Sequence, residues 1–284
     1  MRFKNILTYF YFCATIAVVL RTYQVFFTID SLTGFFKPDY KGLGTVILLA
    51  LGVILLSLLI VSFTVHRKPL KLPTVGYLDG GISFILGLSI FYDIMNTAPS
   101  AGIPSWQRLL LIITGVFAGI FFCLYALKCF KKFETPAITY IIPSIFWAVK
   151  LIYSFTAISS LALITNNIIL LATNIFVLLF MFEFAKLANN LDANNGYKKI
   201  LATGLTAVTL CAISSIPGIF AFLSKNTDVS ENIPAIISTA LTGLFIFRLI
   251  RTHFSGRNLK KHRRRKSKVK FMPGDGGNNF YTGR

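Results

Sequence analysis

Residues 44–71 read GTVILLALGVILLSLLIVSFTVHRKPLK: 22 residues without a charge, then Arg67, Lys68 and Lys71 within five positions. At 1.5 Å of rise per residue, such a run forms a helix about 33 Å long, enough to cross a bilayer's hydrocarbon core. The basic cluster at one end marks the cytoplasmic side of that crossing. The same unit recurs along the chain, and the apolar runs place helices at 6–28, 44–65, 74–95, 107–128, 137–158, 163–187, 199–223 and 233–251.

The loops then alternate. Arg2 and Lys4 precede the first helix, Lys128, Lys131 and Lys132 follow the fourth, Lys186, Lys198 and Lys199 flank the sixth-to-seventh connection, and the tail is strongly basic. In the other set, residues 29–43 balance Lys37 and Lys41 against Asp30 and Asp39, and residues 96–106 and 154–166 hold no charge. Residues 224–232 set Lys225 against Asp228 and Glu231. The excess of positive charge on alternate loops puts both termini in the cytoplasm, which an even helix count also requires. The expected fold class is an all-α integral membrane protein of eight transmembrane helices, with residues 256–284 as a basic cytoplasmic tail.

Composition agrees. The chain is 55% hydrophobic and 14% charged, with a mean hydropathy of +0.69, too few polar groups to coat a soluble core. Met1-Arg2-Phe3-Lys4 before an apolar run resembles a signal-peptide start. No small-x-small cleavage site follows, so an uncleaved first span is expected. Cys13, Cys123 and Cys211 fall within apolar runs and Cys129 just past a helix end, with no C-x-x-C pair. They read as small buried apolar side chains, and no metal or cofactor is expected.

An internal duplication, residues 1–132 and 133–255, is suggested by matching segments. Asn96-Thr97, Ser100 and Ile103-Pro104 precede the fourth helix as Asn226-Thr227, Ser230 and Ile233-Pro234 precede the eighth. Ile47-Leu48-Leu49-Ala50 likewise matches Ile169-Leu170-Leu171-Ala172. Two four-helix units would be parallel repeats related by an axis along the membrane normal. Chance matching within the small alphabet of membrane helices is the alternative.

Charge within a span costs about 2.5–3.5 kcal/mol on insertion scales and calls for a reason. Arg21, Asp79, Asp93, Lys150 and Glu183 are the candidates. Depth brings Arg21, Lys150, Asp93 and Arg108 towards the outer side as one expected cluster, with Asp93 hydrated. Asp79 and Glu183 fall towards the inner side as interface or pairing residues. The functional reading is a pocket for an anionic or zwitterionic ligand, walled by Arg21 and Lys150, with Gln24, Asp93 and Asn174 contributing. The competing reading is snorkelling, in which long side chains lift their charge to the headgroups. Asn166, Asn167 and Thr173 add further polar groups to the sixth helix.

Gly76-x-x-x-Gly80 and Gly115-x-x-x-Gly119 predict close backbone approach of the third and fourth helices, with homodimerisation through that face as the weaker alternative. Pro143 and Pro217 are expected to kink their helices. In the tail, Lys260, Lys261, Arg263, Arg264, Arg265, Lys266, Lys268 and Lys270 fall within twelve positions. Such a cluster anchors a cytoplasmic terminus, attracts anionic lipid headgroups at about 1 kcal/mol per basic residue, or binds ribosomal or other RNA through phosphate. Residues 271–284 read as a flexible end. There is no P-loop, H-E-x-x-H or G-x-S-x-G, so an enzyme is not expected.

Leu20-Arg21-Thr22-Tyr23-Gln24, followed by Thr33-Gly34-Phe35-Phe36, resembles a pattern in uncharacterised polytopic membrane proteins of low-GC Gram-positive bacteria. The resemblance covers the first helix and loop. It implies a bacterial plasma membrane and special roles for Arg21 and Gln24, and carries no activity. The leading expectation is a small-molecule transporter or permease. The rival is a non-enzymatic sensor, scaffold or assembly factor that works through its tail.

Overall fold

The computed structural model describes residues 3–30, 35–64, 76–97, 104–131, 136–159, 165–189, 191, 196–223 and 233–254. Eight helices among them are long and apolar enough to cross a membrane. They are α1 (Phe3–Tyr23), α2 (Lys41–Phe63), α3 (Tyr77–Met95), α4 (Ser105–Lys131), α5 (Ile142–Ser159), α6 (Thr165–Ala188), α7 (Gly196–Leu223) and α8 (Ile233–Phe254). No strand is present among the described residues beyond one isolated antiparallel bridge between Ile29 and Phe36.

The helix ends follow local chemistry. Gly76 caps α3, and the Asp79 carboxylate accepts the Gly76 N–H at 3.2 Å, satisfying an orphan donor. Pro38 opens a 3₁₀ turn that feeds α2, and residues Ala137–Ile141 form another before α5. Pro143 therefore lies in the first turn of α5, where its missing N–H costs nothing, and does not kink a helix interior as expected from sequence. Pro217 is inside α7, as expected. α4 runs three residues beyond its predicted end, so Cys129 is a helical, buried residue.

α7 is the most enclosed helix and α2 the least. α7 packs against α1, α2, α6 and α8, while α3 pairs with α4 and α8. The glycines of α3 and α4 make the close approach their spacing predicts: a Cβ on Gly119 would lie 2.7 Å from the Phe91 ring, and one on Gly87 2.9 Å from the Gly119 carbonyl. The outward face is apolar. On α2, Val46, Leu49, Val53, Leu56 and Ile60 form one stripe, each 59–66% exposed.

An aromatic layer fills the bundle between α4, the turn before α5, α6 and α8. Ring centroids are 5.2 Å apart for Phe122 and Phe245, 5.3 Å for Tyr140 and Phe184, and 5.4 Å for Phe121 and Tyr140. Mostly edge-to-face pairs of this kind add about 0.5–1.5 kcal/mol each beyond area burial.

Two charged residues meet the pairing expected of them. Glu183 accepts a hydrogen bond from Lys186 at 3.0 Å, and Asp79 is bridged to Arg248 of α8 at 3.1 Å. Asp93 departs from expectation. It is 6% exposed and paired, not hydrated, because α8 packs on α3 and supplies Ser238, and the long Lys150 side chain reaches it from α5.

Candidate functional site, a polar cavity beside Arg21

Arg21 ends α1, and the backbone then widens into a π turn over Gln24–Thr28. Insertions of this type recur at functional sites because they re-aim side chains. Here the Thr28 hydroxyl donates to the Gln24 carbonyl at 2.8 Å, and Ile29 N–H donates to the same oxygen at 3.1 Å. The Lys37 N–H donates to the Thr28 carbonyl at 2.9 Å and the Asp30 N–H to the Phe35 carbonyl at 2.8 Å, folding the following loop back on itself.

Arg21 is 4% exposed, so it does not snorkel to a surface. One terminal nitrogen, Nη1, donates to the Gln24 Oε1, and the other, Nη2, to the Asn166 Oδ1 of α6. Gln24, fully buried, donates its own Nε2 to the Gly44 carbonyl of α2 at 2.9 Å. Gly44 has no room for a side chain: a Cβ there would lie 2.4 Å from the Phe36 ring. Gln24, Gly44 and Phe36 thus form the scaffold that aims Arg21. Two of these, Gln24 and Phe36, come from the segment that carries the sequence resemblance.

Arg21 also lines a cavity of about 230 Å³ between α1, α6, α7 and α8. Its polar wall is Arg21, Asn166, Asn167, Ser214 and Thr239, and Ile169, Leu170, Ala235 and Ile236 supply the apolar remainder. Ser214 lies one turn before Pro217, which lacks the N–H that would close the helix bond to the Ile213 carbonyl. Along α6, Phe180 and Phe184 of the core lie 14 and 18 residues beyond Asn166, so the aromatic layer is roughly 20–27 Å from the cavity.

The other predicted residues form a second network. Lys150 donates to the Asp93 Oδ2 at 2.9 Å, and the Ser238 hydroxyl of α8 donates to the same oxygen at 3.0 Å. The Lys150 ammonium also lies 5.2 Å from the Trp147 ring centroid and 5.9 Å from that of Phe146. Asn174 donates to the Ser154 hydroxyl at 3.1 Å, which donates to the Lys150 carbonyl at 2.8 Å. The expected single cluster is therefore two: Arg21 and Gln24 at the cavity, and Asp93, Lys150 and Asn174 across α3, α5 and α6. Arg108 makes no ion pair among the described residues. The glycines that offered homodimerisation as the weaker alternative take part in the α3–α4 contact within the chain. The eight basic tail residues lie outside the described residues, as do half of the positions of the repeated loop motif.

Sequence reasoning did not single out Ser214, Ser238 or Thr239. The signal available was weak, since hydroxyls in apolar helices mostly bond the carbonyl four residues back, as Thr206 and Thr209 do. No protein-family model, no curated protein and no solved structure matches the chain. Function is therefore argued from the geometry of this cavity.

Proposed function

We propose that this protein is a multi-pass protein of a bacterial plasma membrane, with both termini in the cytoplasm, that transports a small polar solute through the Arg21 cavity. The observation that carries the reading is the cavity itself. A buried arginine, two asparagines and two hydroxyl side chains line one space inside a largely apolar bundle. Burying such a group is costly unless it is paired or has a use, and an apolar wall would fill the gap more cheaply.

Three features support transport in particular. The cavity lies towards one end of the bundle and the aromatic layer towards the other, the asymmetry of a site accessible from one side. α7, which contributes Ser214, carries Pro217 in its interior, and the carbonyl that a proline leaves without its helix partner is tolerated where a cavity or a neighbour can satisfy it. The exposed apolar stripe on α2 suits lipid contact. The basic loops support the inward orientation of the termini.

Uptake of small metabolites into proteoliposomes, parent against Arg21→Gln, tests the reading. Loss of uptake in a variant that still folds is expected. Equal uptake by the two refutes a transport site at Arg21.

A further inference from the structure

We infer that the groove between α1 and α8 binds an anionic phospholipid, with Lys4 and Arg251 holding its phosphate and Tyr11, Leu244 and Phe247 lining its acyl chain. This rests on the membrane part of the proposed function and not on transport at Arg21. The two helices run antiparallel: Arg21 near the end of α1 lines one cavity with Ala235 and Ile236 from the start of α8, and the Phe10 and Phe247 rings stack 5.9 Å apart nearer the other end. Each helix packs along α7, which forms the floor between them, while packing of α1 on α8 is slight among the described residues. The Tyr11 ring stands 6.0 Å from that of Phe247, and Tyr11 and Leu244 are each 44% exposed, so the groove opens outwards.

Polarity is graded along this groove. On α1, exposed Lys4, Thr8 and Tyr11 follow one another at spacings that keep them on one helix face. On α8, Leu244, Phe247 and exposed Arg251 do the same. Lys4 precedes Tyr11 by two turns and Arg251 follows Phe247 by one, so both cations lie about 6–10 Å beyond the ring pair, towards the same end. Further in, the walls are aromatic and aliphatic. A phospholipid has the same order, a phosphate and then a hydrocarbon chain. Basic pockets between helices on the cytoplasmic side are where acidic headgroups bind.

The sign of the charge is fixed by the residues around the groove. Neither Lys4 nor Arg251 forms an ion pair among the described residues. The described acids at this end, Asp79 and Glu183, each have a cation of their own, Arg248 and Lys186. The sequence flanking the two helices can only add positive charge. Residues 1–2 carry Arg2, and residues 255–274 carry Arg257 and the eight basic positions, with no acid before Asp275. A small free anion would need the cations alone. The rings and Leu244 beside them favour a ligand that brings a hydrocarbon chain.

The test places the photo-cross-linking residue p-benzoylphenylalanine at Tyr11 of the full chain. The protein is reconstituted into vesicles of phosphatidylcholine with a minority of phosphatidylglycerol, and the adduct is identified by its mass. Phosphatidylglycerol adducts in excess of that lipid's share of the bilayer are expected. Lys4→Gln and Arg251→Gln should each lower the excess about fivefold, the factor that about 1 kcal/mol per basic residue implies, and the double variant should abolish it. Both side chains are exposed, so these variants should fold as the parent does. Neutralising the eight tail residues instead should leave most of the excess. Adducts that follow the bilayer composition overturn the inference, as does an excess that the two substitutions leave unchanged or that vanishes with the tail charges alone. An adduct to a second copy of the chain overturns it too, and makes the groove a dimer interface. A chain that enters vesicles without the excess loses this inference alone, and one that does not enter them loses the membrane reading as well.

Discussion

Replacing Lys150 with methionine isolates the largest electrostatic stake in the bundle. Methionine keeps most of the aliphatic stem that lies against Trp147 and Phe146, and removes the ammonium. Asp93 is then a carboxylate with 9% side-chain exposure and the Ser238 hydroxyl as its remaining hydrogen-bond donor among the described residues. Removing one member of a buried ion pair costs about 3–5 kcal/mol, because the other charge stays desolvated. The surviving Ser238 bond and the lost cation–π contact pull in opposite directions by about 1 kcal/mol each, so Lys150→Met should cost about 3–5 kcal/mol. Asp93→Asn alone should cost less, since the lysine can still lie over its two rings and extend towards the helix end. The double variant Asp93→Asn/Lys150→Met should recover about 2 kcal/mol relative to Lys150→Met, since no unpaired charge remains. Unfolding in mixed micelles, followed by circular dichroism, measures all four corners of the cycle. A Lys150→Met cost below 1 kcal/mol, or a double variant no more stable than that single one, would refute the buried pair.

Gly119→Leu should cost at least 1–3 kcal/mol by overpacking against Phe91, whereas Gly52→Ala, where an added Cβ meets nothing within 4 Å, should be neutral or stabilising by up to about 1 kcal/mol; the same unfolding assay compares them. Gln24→Leu should cost about 2–4 kcal/mol in the same assay, because the Gly44 carbonyl and one Arg21 nitrogen each lose a buried hydrogen bond. A fluorescent-protein fusion after Arg284 should be bright in bacterial cells and a periplasmic phosphatase fusion at the same point inactive, with the opposite pair of readings refuting the cytoplasmic terminus. Ser238→Ala should lower stability by about 1 kcal/mol, since Ser238 bonds Asp93 and does not line the cavity; unfolding followed by circular dichroism measures it.

The helix count and most boundaries were legible because each helix is an apolar run of about the length that a bilayer crossing needs, bounded by charged or polar loops. The 22-residue run before Arg67 shows this directly. Depth along the helices was legible too, and it correctly brought Lys150 level with Asp93. Direction around the helix axis was not. Asp93 read as hydrated because a residue near a helix end can face water or a neighbour, and only the packing of α5 and α8 decides. Arg21 and Lys150 share a depth for the same reason without sharing a site. Pro143 read as a kink because its place relative to the helix start depends on the 3₁₀ turn before it. Asp79 was placed at the inner side, but its partner Arg248 lies 169 positions away and no local pattern names it.

α8 is where the two polar networks meet, and this gives the bundle a mechanical logic. Its first two turns contribute Ala235, Ile236 and Thr239 to the cavity, while Ser238 between them bonds Asp93 on α3. At its other end Arg248 bonds Asp79, again on α3, with Thr252 3.5 Å from the same carboxylate. Fourteen residues separate Asp79 from Asp93, so the two fastenings lie about 21 Å apart along one antiparallel helix pair. A ligand that pulls on the first turns of α8 must therefore load the Ser238–Asp93–Lys150 contact before it can tilt the helix about its Arg248 end. A ligand could bias this element only by favouring release of that contact, because packed cores do not deform continuously. The charge inside this bundle then has two separable uses. On the proposed transport reading, the charge at Arg21 would meet the solute, and the charge on α3 fixes α8 at Ser238 and Arg248.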